Sequence, residues 1–358
     1  MAGKTITSVS GLIAAGLAGD GARAALEQVA ARYAVAVTPA MADLIPPHAP
    51  DDPVALQFVP QARELETGPE ELADPIGDDA HSPVHGLVHR YRDRALLKLA
   101  SVCPVYCRFC FRREMVGPGG AAMLGEAELE AVYAYLAARP EIWEVVVSGG
   151  DPLALSPRRI AAVMRRLADI SHVRVVRFHS RVPLVAPERI TPELVAALKA
   201  CDRTVWVVLH VNCAREFTEP GRAALARLAD AGVPLLSQSV LLRGVNDTPE
   251  ALEALLRACV ENRVKPYYLH HGDLAPGTSH LRASIAEGQA LLRTLRGRLS
   301  GVAQPTYVLD IPGGYGKSPI GPAYICEDPQ RPGAYRVTDP SGGVHAYPPP
   351  VGGDGEGR

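Results

Sequence analysis

From about residue 90 the chain alternates between two hydrophobic periods. Short apolar runs, such as Val-Val-Val-Ser at 145–148 and Thr-Val-Trp-Val-Val-Leu-His at 204–210, read as strands. Longer segments between them place apolar residues every three or four positions, as a helix with one buried face requires. The pattern predicts strands over 95–101, 144–148, 173–179, 204–210, 234–241, 266–270 and 307–310, and helices over 126–139, 157–170, 192–200, 219–231, 249–262 and 285–299. Strands that alternate with helices run parallel, joined by helical crossovers. Six such repeats fall short of the eight that close a barrel. The expected fold is therefore α/β: an incomplete (β/α)6 TIM-like barrel over 86–326, open on one side to admit a large substrate. Residues 1–85 read as an N-terminal helical cap, with a helix near 21–33, a Pro-punctuated loop at 41–52 and an acidic, exposed stretch at 64–79. Residues 327–358 read as a mobile Gly/Pro-rich tail without chemistry.

Composition narrows the setting. Hydrophobic residues make up 47% and charged residues 21% of 358, an ordinary globular balance. A net charge of −2 argues against broad nucleic-acid or anionic-membrane binding. No apolar run reaches the length of a bilayer span, and the Gly11–Gly19 stretch is too broken to act as a signal. The seven cysteines are an odd number, and three crowd into eight residues, which fits a reducing cytoplasm where thiols stay free for metals.

Those three are Cys103, Cys107 and Cys110, in Cys-Pro-Val-Tyr-Cys-Arg-Phe-Cys-Phe-Arg-Arg. A structural zinc site closes with four ligands. A 4Fe–4S cluster bound by three local thiolates keeps one iron open to a substrate or cofactor. Buried thiols or part of a zinc knuckle are the plain alternatives, and the density of the motif favours the cluster. The other polar residues fall at one end of successive strands: Ser148-Gly149-Gly150-Asp151, His179-Ser180-Arg181, His210 with Asn212, Gln238 with Ser239, His270-His271-Gly272-Asp273, and Asp310 to Lys317. That end is where barrel-like sheets gather their chemistry. Gly149-Gly150-Asp151 reads either as a tight turn or as backbone approaching a cofactor, with Asp151 accepting from the cofactor's amine or hydroxyls. Pro-Gly-Gly-Tyr-Gly-Lys at 312–317 lacks the spacing of a nucleotide phosphate loop. Lys317 is instead either a loop lysine or one that forms a Schiff base with an aldehyde cofactor. Arg90 and Arg94 matter if they face a phosphate.

Taken together, these motifs resemble the radical S-adenosylmethionine (SAM) enzymes, and among them the lysine 2,3-aminomutase family. The carriers are the three-cysteine motif with Phe111-Arg112-Arg113, the run Ser148–Leu153, Gln238–Leu242, Pro266–Leu269, Asp273, and Asp310–Lys317. The resemblance implies a 4Fe–4S cluster on Cys103, Cys107 and Cys110, with SAM on the fourth iron near Gly149, Gly150 and Asp151. It implies pyridoxal 5′-phosphate (PLP) on Lys317, its phosphate on Arg90 and Arg94, and Gln238 lining the cavity. Arg112 would pair with the substrate carboxylate, and Asp273 and Asp310 with the ε-ammonium of lysine. The implied reaction moves the amino group of L-lysine from the α- to the β-carbon by radical chemistry. A one-electron donor such as flavodoxin or ferredoxin would start it. Left open are a role in β-lysylation of elongation factor P, another amino acid as substrate, a non-catalytic iron–sulfur redox protein, and a homo-oligomeric state. Longer family members bind zinc through C-terminal cysteines that this tail lacks, so zinc is not expected.

Overall fold

The computed structural model describes residues 3–116 and 123–349. A nine-stranded sheet runs in chain order: β1 (Leu87–Tyr91), β2 (Arg94–Ala100), β3 (Glu144–Gly149), β4 (Val175–Ser180), β5 (Thr204–His210), β6 (Leu235–Val240), β7 (Val264–His270), β8 (Thr306–Ile311) and β9 (Gly316–Pro319). Strands β2 to β8 pair in parallel, while β1 and β9 are antiparallel edges. The expected barrel is present, with a short added strand at each margin. The two margins meet through one hydrogen bond, in which the Lys317 amide donates to the Tyr91 hydroxyl at 2.8 Å.

The crossover helices start where their sequence says they should. Those at Pro157–Ala168, Pro192–Leu198, Glu219–Asp230 and Pro249–Glu261 each follow a Ser or Thr whose hydroxyl accepts from the first turn, with proline at one of the first two positions. Such a cap contributes about 1 kcal/mol, and proline there loses no hydrogen bond. Their apolar stripes cover the outer face of the sheet. Leu97, Val147, Phe178, Val207, Leu209 and Leu269 all join this core. Alternation then turns the opposite set inward: Lys98, Arg177, His179, His210, Gln238 and His270. The apolar core therefore lies outside the sheet, and the lumen is polar.

A second apolar cluster joins the N-terminal region to the barrel mouth. Leu12, Val37, Met41, Val54 and Phe58 pack with Val105 and Phe109 of the cysteine loop and with Val185, Leu242 and Leu281. Much of the acidic stretch is exposed as expected, Glu66, Glu70 and Asp79 included, but Glu64 and Asp78 are buried, because arginines of the cysteine loop answer their charge. The segment read as a tail, together with Ile325 and Cys326 before it, forms a small antiparallel sheet of Ile325–Glu327, Tyr335–Thr338 and Val344–Tyr347, so the boundary expected at 326/327 falls inside a strand, while 350–358 lie outside the described residues. Among the described residues no helix is long and apolar enough to cross a membrane.

Candidate active site

The cysteine loop leaves β2 at the barrel mouth, and the turn after β3 supports its root. Gly150 donates to the Ala100 carbonyl, and Asp151 to the Val102 carbonyl at 2.9 Å. Gly149 has φ +109°, and a Cβ there would run into the Ala100 carbonyl; a Cβ on Gly150 would strike Val102. The glycines are thus required by the chain's own close approach. Asp151 differs from the expected direct cofactor contact. Its carboxylate accepts from Ser180 Oγ (2.7 Å), Leu153 N (3.1 Å), Arg181 N (2.6 Å) and Val182 N (3.2 Å), which fills both oxygens. It clamps the end of β3 to the end of β4.

Three arginines interleaved with the cysteines fix the loop. Arg108 forks onto Glu64 (Nε to Oε1 2.9 Å), Arg113 shares the same carboxylate, and Arg113 Nη1 reaches the Pro276 carbonyl at 3.0 Å. Arg112 donates twice to Asp78 Oδ2, at 3.0 and 2.9 Å, and Arg90 donates to Asp78 Oδ1 at 3.1 Å. Burial pushes Asp78 upward, but Arg112, Lys98 and Arg90 outweigh it and hold the carboxyl below its usual range. One aspartate from the N-terminal region therefore sets the spacing between two arginines expected to bind different anions. Arg94 is held elsewhere, by Asp93 at 2.7 Å and over the Tyr91 ring at 3.8 Å.

The three thiols are partly buried, and burial raises all of them, Cys110 to about 11. Among the described residues no three His, Cys, Asp or Glu side chains converge on a single metal ion. Arg181, unassigned from sequence, places Nη1 3.1 Å from Cys107 Sγ.

Across the lumen, Lys317 on β9 stands opposite Asp310 on β8, and its ammonium lies 2.5 Å from Oδ1. His270 at the end of β7 contacts Asp310 Oδ2 through Nδ1 at 3.1 Å. Burial lowers His270 more than Asp310 raises it, so the ring is neutral and its Nδ1–H donates. Burial pushes Asp310 upward, yet His270 and Lys317 together hold it well below the usual carboxylate range. Asp273, in the loop after β7, goes the other way: burial and the neighbouring Asp310 charge push it up to about 8. Burial also holds His179 far below the usual imidazole range, reinforced by the charges of Arg177, Lys317 and Arg112. Gln238 sits on the lumen face of β6, beside Tyr268 in register. Lys317 thus has a carboxylate partner and a hydrogen-bonded backbone.

An open parallel barrel with a three-thiol loop at the strand ends and a charged lumen defines a class, and the family comparisons agree. Residues 97–258 match the model of the radical SAM superfamily, and residues 292–350 match a model described as lysine-2,3-aminomutase. The chain is 43% identical over 291 residues to an L-lysine 2,3-aminomutase of Clostridium subterminale, covering 81% of this chain and 70% of that protein. It is 40% identical over 298 residues to one of Fusobacterium nucleatum, covering 83% and 70%. A glutamate 2,3-aminomutase of Clostridioides difficile is 34% identical over 300 residues, covering 84% and 70%. The chain belongs to the lysine 2,3-aminomutase family of radical SAM enzymes, and it is an isomerase.

Proposed function

We propose that the chain is an L-lysine 2,3-aminomutase, with a 4Fe–4S cluster on Cys103, Cys107 and Cys110 and PLP on Lys317. The observation that carries the substrate is the sign of the far wall: Asp310 already holds an alkylammonium, that of Lys317, and Asp273 stands beside it. A buried ammonium is tolerated only where carboxylates and hydrogen bonds answer it. A glutamate side chain would meet the wrong charge at that wall.

When bound, the cluster with SAM supplies hydrogen-atom abstraction, and PLP supplies conjugation for the migrating nitrogen. The chain's residues supply placement. Asp310 and Asp273 receive the distal ammonium, and His270 fixes which Asp310 oxygen faces it. Arg112, oriented by Asp78, takes the substrate carboxylate, so the two ends of the amino acid are gripped by opposite charges. Arg90 and Arg94 serve the cofactor phosphate, Arg94 being linked to Lys317 through Tyr91. Gly149 and Gly150 would stand on the SAM side, and Gln238 would line the cofactor cavity. His179 and His210, both held far below the usual imidazole range, wall the lumen.

The test is an anaerobic assay of reconstituted enzyme with lysine, arginine, ornithine and glutamate, read by chiral amino-acid analysis. β-Lysine as the main product supports the assignment. A different β-amino acid with no β-lysine would sink it.

A further inference from the structure

Arg181 is a buried cation whose reach ends on a sulfur. Its backbone nitrogen is clamped by Asp151 at 2.6 Å. Its Nη2 donates to Gln57 Oε1 and to Glu216 Oε2, both at 2.6 Å, and its Nη1 donates to Cys107 Sγ at 3.1 Å. The guanidinium lies 4.6 Å from the Phe58 ring centre and 5.5 Å from that of Phe109. Glu216 is held in turn, accepting from Asn212 N at 3.1 Å and Cys213 N at 2.9 Å through its other oxygen. Gln57 also accepts from Asn212 Nδ2 at 3.1 Å. Of the three loop cysteines, Cys107 is the one whose sulfur accepts a side-chain hydrogen bond among the described residues.

Glu216 and Gln57 alone would satisfy one arm of the guanidinium. The other arm is spent on a thiol, and the N-terminal region supplies Gln57 and Phe58 to keep it there. We propose that Arg181 is a positioning residue that sets the reduction potential of the cluster on this loop, through an N–H···S bond to Cys107 whose charge is metered by Glu216. The proposal rests on the cluster reading above.

The physical reason is charge. One-electron reduction adds a negative charge to the cluster and its thiolates. A buried donor and cation stabilise that reduced form more than the oxidised one, and hydrogen bonds to sulfur are among the main levers on such potentials. Low local polarisability keeps the effect large. Glu216 cancels part of the Arg181 charge, so the two residues act on the potential with opposite signs. A merely structural clamp would not produce that opposition.

The experiment uses the full chain, reconstituted anaerobically with iron and sulfide, in wild type, Arg181→Lys, Arg181→Gln and Glu216→Gln. Iron and sulfide content are measured first, then the midpoint potential by electron paramagnetic resonance during a redox titration. Glu216→Gln should shift the midpoint positive, Arg181→Gln negative, and Arg181→Lys should fall between wild type and Arg181→Gln. Glu216→Gln removes the charge but sets an amide nitrogen against a donor, so Arg181→Lys, which keeps a buried cation, carries the test if either other variant does not fold. Wild-type midpoints in both Glu216→Gln and Arg181→Lys, at full cluster content, would overturn the proposal. A wild-type chain that takes up no iron and sulfide overturns the cluster reading beneath it, which is a separate result.

Discussion

The ammonium of Lys317 lies 2.5 Å from Asp310 Oδ1, on neighbouring antiparallel strands in direct register. The lysine assigned to the cofactor and the carboxylate assigned to the substrate are therefore already partners. Lys317→Ala should abolish borohydride-dependent fixation of PLP to the chain while leaving iron and sulfide content unchanged. Mass spectrometry of the reduced protein checks the first, and metal analysis the second. PLP still fixed in the variant would show that another lysine carries it.

Asp273 gives the site a pH dependence of defined sign. Its carboxyl is raised from 3.8 to about 8, so the folded chain holds a proton there that the unfolded chain has lost. Stability from this group is present at low pH and declines as pH rises from about 4 through about 8. An incoming ammonium favours the ionised form, so lysine binding below pH 8 should release a proton. KM for lysine should fall with rising pH by up to about tenfold per unit in that window. Asp273→Asn should flatten the dependence. Calorimetry in buffers of different ionisation enthalpy measures the proton count directly.

His270 orients Asp310 by a hydrogen bond to an ionised carboxylate, an interaction worth about 1.5–3 kcal/mol. His270→Phe should therefore raise KM for lysine by roughly 10- to 150-fold, the same energy expressed as a ratio. The midpoint potential of the cluster should stay where it is. An unchanged KM would show that Asp310 needs no second partner.

Glu64 is shared by Arg108 and Arg113 inside the protein. Glu64→Gln leaves two buried cations short of a charge and should cost about 3–5 kcal/mol, seen as a lower urea midpoint. The loop should loosen too, with faster reaction of its thiols toward a disulfide reagent. Glu130→Gln, which removes an exposed partner of Arg166, is the control and should change stability by less than about 1 kcal/mol.

The barrel was legible in the sequence because helix-covered strands and capped helices leave strong local periods. Its margins were less so: β9 is the polar run Gly-Lys-Ser-Pro, and the C-terminal strands are three or four residues long with mostly exposed side chains. The partners of the site were hidden for a different reason. Glu64 meets Arg108 across 44 positions, Asp78 meets Arg112 across 34, and Arg181 meets Glu216 across 35, separations that carry no periodicity. One signal was available. Three arginines among apolar cysteine-loop residues needed burial partners, and the acidic stretch at 64–79 was the nearest supply. Asp151 misled because a Gly-Gly-Asp turn looks alike whether it serves a ligand or its own chain.

The hydrogen bond from the Lys317 amide to the Tyr91 hydroxyl joins the two margins of the sheet. It works as a latch on a seam, and the lysine is fastened to one lip. Because β9 is paired with β8, any widening of the seam carries Lys317 and Asp310 together and breaks the bond to Tyr91. Entry through that side therefore leaves the lysine and its carboxylate partner in register, poised on one lip.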